Sequence, residues 1–83
     1  MSNVREGVLA ALQEHGSLAA EQIAESVGSN LDAVHAILPA LRERGLIDAV
    51  ALTRFEGEVG VAVAYWRLTE AGHRELARLR AAG

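Results

Sequence analysis

The sequence predicts an α+β fold of three helices, an antiparallel hairpin and a closing fourth helix. Three observations carry that prediction. Apolar residues recur at helical spacing in three segments of the first half, each closed by a glycine: Gly16, Gly28 and Gly45. Two Val-rich stretches, 46–55 and 59–68, then flank a Glu56-Gly57-Glu58 turn. A helical pattern returns from Thr69 to the end of the chain. With 83 residues, 51% of them apolar, the chain is expected to form one small domain, 1–83, around a modest core.

In the first helix Val4, Val8, Ala11 and Leu12 fall on one face, and His15 in the last turn suits the helix dipole. Ser17 is the candidate N-cap of a short second helix that has Glu21 in its first turn and buries Leu18, Ile23, Ala24 and Val27. Asn30 caps the third helix, whose core face is Val34, Ile37, Leu38 and Leu41; Pro39 inside it removes a backbone donor and presses on the His35 carbonyl, which predicts a bend.

The hairpin turn is read as extended by Gly60, and both hairpin faces read as apolar: Val50, Leu52, Val61, Val63 and Tyr65 alternate with Ala51, Phe55, Ala62, Ala64 and Trp66. The alanines are read as an outer face that another layer can approach closely. An apolar hairpin left uncovered invites association, so Val50, Leu52, Phe55, Val61, Val63, Tyr65 and Trp66 are candidates for a dimer or partner interface. The competing arrangement has the first and fourth helices covering the hairpin. Thr69 caps the fourth helix, which packs Ala71, Leu76 and Leu79; Gly72 within it points to close packing.

Composition narrows the chemistry. There is no Cys, so neither disulfides nor thiolate metal sites are available, which fits a cytoplasmic protein. No stretch approaches a membrane span, and the N-terminus has an acid beside its only Arg and no small-residue cleavage site, unlike a signal peptide. All eight basic residues are Arg, and they are unevenly placed: residues 1–41 hold one Arg against five acids, residues 42–83 seven Arg against six. No Gly-x-Ser-x-Gly, phosphate loop or paired-carboxylate site is present, so an enzyme is not expected. No spacing matches a zinc site; Asp32 and His35 share a helix face and read as an exposed pair, while His15 and His73 have no sequence-local ligand partner. No cofactor or metal is expected.

The second and third helices meet through "VGSN" as a helix-turn-helix, and a hairpin directly behind makes a wing. "SLAAEQIAESVGSNLDAVHAILPALRERGLI" resembles the central unit of the MarR, ArsR and PadR families of winged helix-turn-helix regulators. "LPALRERGLI" followed by "YWRLTEAGHREL" is especially similar to the PadR pattern. The resemblance implies a homodimer on double-stranded DNA that controls transcription. It implies that Ser29, Asn30, Leu31, Asp32, Ala33, His35 and Ala36 face the major groove, and that Arg54 and Arg67 of the wing touch the backbone or minor groove. On a DNA-binding reading of the residues themselves, Arg44 is a further candidate for adding charge. The residues themselves also support a second reading. Base edges are usually read by Arg, Lys, Asn or Gln, and here only Asn30 and His35 can serve. The acidic first half and apolar wing suit a winged helix that contacts protein through its third helix or wing.

Overall fold

Local signals in the chain translate into seven elements in the computed structural model, which describes residues 4–82. They are α1 (Val4–His15), β1 (Ser17–Leu18), α2 (Ala20–Val27), α3 (Leu31–Glu43), β2 (Ile47–Glu56), β3 (Val59–Leu68) and α4 (Glu70–Ala82). The sequence reading of the domain from Met1 and of the fourth helix as far as Gly83 extends beyond the described residues. The fold is the predicted α+β winged helix.

The ends of α3 show why this segment is helical. Asn30 Oδ1 accepts a hydrogen bond from the Ala33 amide at 2.7 Å, which satisfies one of the donors a helix start leaves unpaired. At the other end the Leu46 amide donates to Leu41 O at 3.0 Å and the Gly45 amide to Arg42 O at 2.9 Å, the paired bonds of a Schellman stop. Gly45 reaches that geometry at φ +74°, where a Cβ would be strained. Between these ends α3 stays helical through Pro39.

The start of the second helix differs from the sequence reading. Ser17 is not a cap, and Leu18 is not helical: both belong to β1, where Ser17 pairs with Arg67 and Leu18 with Trp66. The backbone here is satisfied by the sheet, so α2 begins only at Ala20. Its start is closed from inside, by Gln22 Oε1 accepting from the Ala19 amide at 2.9 Å. The sheet order is β1-β3-β2, antiparallel throughout. Ten cross-strand pairs run from Ile47–Leu68 to Glu56–Val59, leaving Gly57-Glu58 as the turn. Gly60 does not extend it; it lies in β3 opposite Phe55.

The core gathers Val8, Leu9 and Leu12 of α1, Ile23 and Ala24 of α2, Val34, Leu38 and Leu41 of α3, Leu46, Ile47 and Leu76. Each large aliphatic side chain buried there contributes roughly 1.5–3 kcal/mol. Trp66, Leu68, Ala71 and Leu79 pack half-buried against it.

The root of the hairpin is held by one compact set of contacts. Thr69 Oγ1 donates to Gly45 O at 2.6 Å and accepts from the Gly72 amide at 3.1 Å, so it caps α4 while binding the end of α3. The Thr69 amide donates to Leu46 O at 3.1 Å. Gly72 lies directly on that carbonyl: a Cβ there would overlap Leu46 O and sit 2.7 Å from Leu68 Cδ2. Close approach explains the glycine. Nearby, the Glu75 carboxylate receives Arg78 through two bonds at 2.8 Å and Arg44 at 3.3 Å, tying α4 to the end of α3.

Two outcomes are expected. Gly72→Ala forces backbone apart at the hairpin root and should lower stability by about 1–3 kcal/mol or more in urea denaturation; an unchanged midpoint would mean that this contact is looser than described. The Glu75 carboxyl is lowered from its ordinary 4.5 to about 2, chiefly by the Arg78 hydrogen bond and against some desolvation, with the charges of Arg78 and Arg44 assisting. A depressed carboxyl stabilises the fold while ionised, so its contribution is complete above about pH 4.5 and disappears as pH falls toward 2. The melting-temperature gap between the parent chain and Glu75→Gln should therefore be constant near neutrality and close across that acid window.

Candidate nucleic-acid interface

α3 and the hairpin form the two walls of a groove. The helix wall presents His35, Leu38 and Pro39; the hairpin wall presents Arg54, Val61, Ala62, Val63, Ala64 and Trp66; Ala19, Ala20 and Glu21 at the start of α2 complete it. His35 and Arg54, far apart in sequence, thus line one depression. Asp32, His35 and Ala36 are exposed along α3, and Ser29 and Ala33 are half-buried at its start. Asn30 is exposed, but its carbonyl oxygen is committed to the Ala33 amide.

The basic residues singled out from the sequence do not form one cluster. Arg44 is the C-cap of α3, roughly 18 Å along the helix from its start, and is engaged with Glu75. The structure does not bring it to the α3 N-terminal surface. Arg54 pairs with Glu56 at 3.2 Å and Arg67 with Asp48 at 3.8 Å, all four side chains more than half exposed. Pairs this exposed are worth about 0.2–1 kcal/mol, so either guanidinium can exchange its carboxylate for another anion at small cost.

The strand register divides the hairpin into the two faces expected, with their roles exchanged. Val50, Leu52, Val61, Val63 and Tyr65 lie with Asp48, Arg54 and Arg67 on one face. Ala51, Ala62 and Ala64 lie with Ile47, Trp66 and Leu68, so the alanine face continues the core face instead of pointing away from it. Helices α1 and α4 do not cover the outer part of the hairpin, where every residue from 51 to 62 is exposed, although its root packs on the core. Leu52 is 52% exposed, Phe55 70% and Val61 37%; Val50, Val63 and Tyr65 are half-buried, and Trp66 packs onto the core. Val59, 64% exposed, belongs to the same surface, although its place at the turn hid it from sequence reasoning. The result is a 48 Å long molecule, 25 by 21 Å across.

Among the described residues no three His, Asp or Glu side chains are grouped to hold a metal ion, and no helix is long and apolar enough to cross a membrane. His73 Nδ1 lies 3.1 Å from Gln13 Nε2, a contact between α4 and α1.

The family model of the TFIIE alpha subunit matches residues 3–78. No curated protein sequence matches the chain. Among solved structures, the YusO protein of Bacillus subtilis is 26% identical with a TM-score of 0.79 over 98% of this chain and 54% of its own. The PcaV transcriptional regulator of Streptomyces coelicolor, solved with its natural ligand, is 27% identical with a TM-score of 0.78 over the same shares, 98% and 54%. ZitR of Lactococcus lactis, a zinc-responsive MarR family member, is 28% identical with a TM-score of 0.75 over 99% of this chain and 52% of its own. This chain thus spans about half the length of each.

The positioning of α3 depends on its cap. Asn30→Ala should cost about 1 kcal/mol of stability, because the Ala33 amide loses its partner. Urea denaturation of the two proteins measures it, and equal midpoints would show that water replaces the side chain without loss.

Proposed function

The chain belongs to the TFIIE alpha subunit family, and from that premise we propose that it is a small transcriptional regulator that binds double-stranded DNA as a homodimer. The observation that carries this reading is the groove in which the outer side of α3 and the wing stand opposite each other, His35 on one wall and Arg54 on the other. A helix in the major groove flanked by a wing on the backbone uses such an arrangement.

In this reading the first turns of α3 enter the groove. His35 offers a hydrogen bond to a base edge, and Ala33 and Ala36 meet thymine methyls. Backbone amides at the start of α3 face phosphate. Ser29 and Asn30 border the same edge, and the Asp32 carboxylate suits a cytosine N4 donor better than any phosphate. Arg54 and Arg67 leave Glu56 and Asp48 for phosphates. Arg44, held at the far end of α3 by Glu75, contributes to the fold instead.

A second reading is favoured by a specific observation: the wing exposes apolar side chains on both faces, and its cations are already paired. Under it the wing and α3 dock onto another protein of the transcription machinery and DNA is not read.

Fluorescence anisotropy of a labelled mixed-sequence duplex separates the two. Regulator binding should weaken with salt at a log–log slope of about −4, for two phosphate-neutralising arginines per chain in a dimer. The double change Arg54→Glu and Arg67→Glu should abolish it. Binding that survived the double change would remove the wing from the DNA contact, and absence of binding at low salt would leave the protein-docking reading.

A further inference from the structure

Strand β2 is the outer strand of the sheet, so among the described residues one side of it has no neighbouring strand. A ten-residue edge presents a row of backbone donors and acceptors, which proteins commonly blunt with charged side chains, Pro or a bulge. The sequence of β2, IDAVALTRFE, has no Pro, its pairing with β3 runs through ten residues without a bulge, and its charges, Asp48, Arg54 and Glu56, are of both signs. Leu52 and Phe55 on this strand are 52% and 70% exposed. From this edge and its charges we infer that β2 pairs antiparallel with β2 of a second copy of the chain, about a two-fold axis at Ala51. The inference rests on the homodimer reading above and assigns its surface.

Charge complementarity selects the register. In a two-fold antiparallel pair each residue stands opposite the one equally far beyond the axis. With the axis at Ala51, Asp48 meets Arg54 of the second copy, and by symmetry this happens twice. Val50 meets Leu52, and Ala49 meets Thr53. Moving the axis to Leu52 sets Asp48 against Glu56 and Val50 against Arg54. Moving it to Val50 sets Asp48 against Leu52, and moving it to Thr53 sets Leu52 against Arg54 and Val50 against Glu56. Opposite charges directly across a ladder stabilise it and like charges destabilise it, and of these four axes only Ala51 sets opposite charges against each other, with Ile47 meeting Phe55 farther out.

The faces agree with this choice. Asp48, Val50, Leu52 and Arg54 share one face with Arg67, Tyr65, Val63 and Val61. Asp48 comes to lie between Arg67 of its own chain, 3.8 Å away, and Arg54 of the second copy. Tyr65, Val50, then Leu52 and Val63 of the second copy form an apolar row across four strands, repeated by the symmetry.

Sedimentation equilibrium of the 83-residue chain and its variants tests the pairing. The parent chain should be dimeric. Asp48→Arg and Arg54→Asp, both at exposed positions, should each weaken the dimer about tenfold or more by replacing two attractions with two repulsions. An equimolar mixture of the two variants should recover it, because each supplies what the other lacks. The chain has no Cys, so Ala51→Cys gives a single thiol on the axis, within the Cα separation a disulfide accepts; mild oxidation should crosslink it efficiently and Thr53→Cys poorly. A parent dimer unaffected by both charge changes, a mixture no more associated than its parts, or equal crosslinking at 51 and 53 overturns this surface while leaving the homodimer intact. A monomeric parent chain overturns both.

Discussion

The molecule turns on the Leu46 carbonyl and the Thr69 hydroxyl. Leu46 O accepts the Thr69 amide, and the bare Cα of Gly72 rests against the same carbonyl. Thr69 Oγ1 reaches back to Gly45 O while capping α4. Four elements meet in these few atoms: the end of α3, the start of β2, the end of β3 and the start of α4. Because the contacts are backbone to backbone or through one short side chain, little rotamer freedom remains in them. The angle between α3 and the wing, and hence the groove between them, is set here.

Beyond this root the character of the chain changes. On one side lies a closed core in which Leu9, Ile23, Val34 and Leu76 are fully buried. On the other, each hairpin strand extends ten residues, about 33 Å, with its outer part exposed on both faces. Two strands alone are marginal in water. The wing is held to the body at its root, because its inner third, through Ile47, Leu68 and Trp66, belongs to the core. Its outer part adds little to folding, and large aliphatic and aromatic side chains kept at that place make sense as contacts for another molecule.

Much of this fold was legible in the sequence, and the failures have physical causes. Val34, Leu38 and Leu41 at helical spacing, with Asn30 before and Gly45 after, identified α3 and both its stops. Gly72 announced close packing within an otherwise good helix. β1 was invisible because two residues cannot show a period, and Ser17 is as good a cap as it is a strand residue; only β3, fifty residues on, decides between them. The two hairpin faces were readable from alternation, but not which of them faced the body, since the alanine face merges into the core through Ile47, Trp66 and Leu68 at its root. At the candidate site, His35 is the one α3 residue expected there from its place in the helix that lines the groove; Leu38 and Pro39 beside it read from the sequence as a core residue and a bend. The distance of Arg44 from them, and its bond to Glu75, depend on how α4 packs.

The absence of cations from the first turns of α3 bears on how the proposed regulator works. Non-specific affinity for DNA comes from neutralised phosphates, and a chain of net charge −3 whose wing arginines are already paired has little of it. What selects a site in a genome is the ratio of specific to non-specific binding, so a small phosphate contribution lowers the background as well as the total. Specific affinity must then come from elsewhere. Small side chains at Ala33 and Ala36 allow close approach to a groove wall, which favours apolar contact and readout of shape. A second copy doubles every contact without adding net attraction for random sequence as steeply as added arginines do. If β2 joins the copies edge to edge, Arg54 is shared between the partner's Asp48 and phosphate, and operator occupancy becomes coupled to dimerisation through a single side chain.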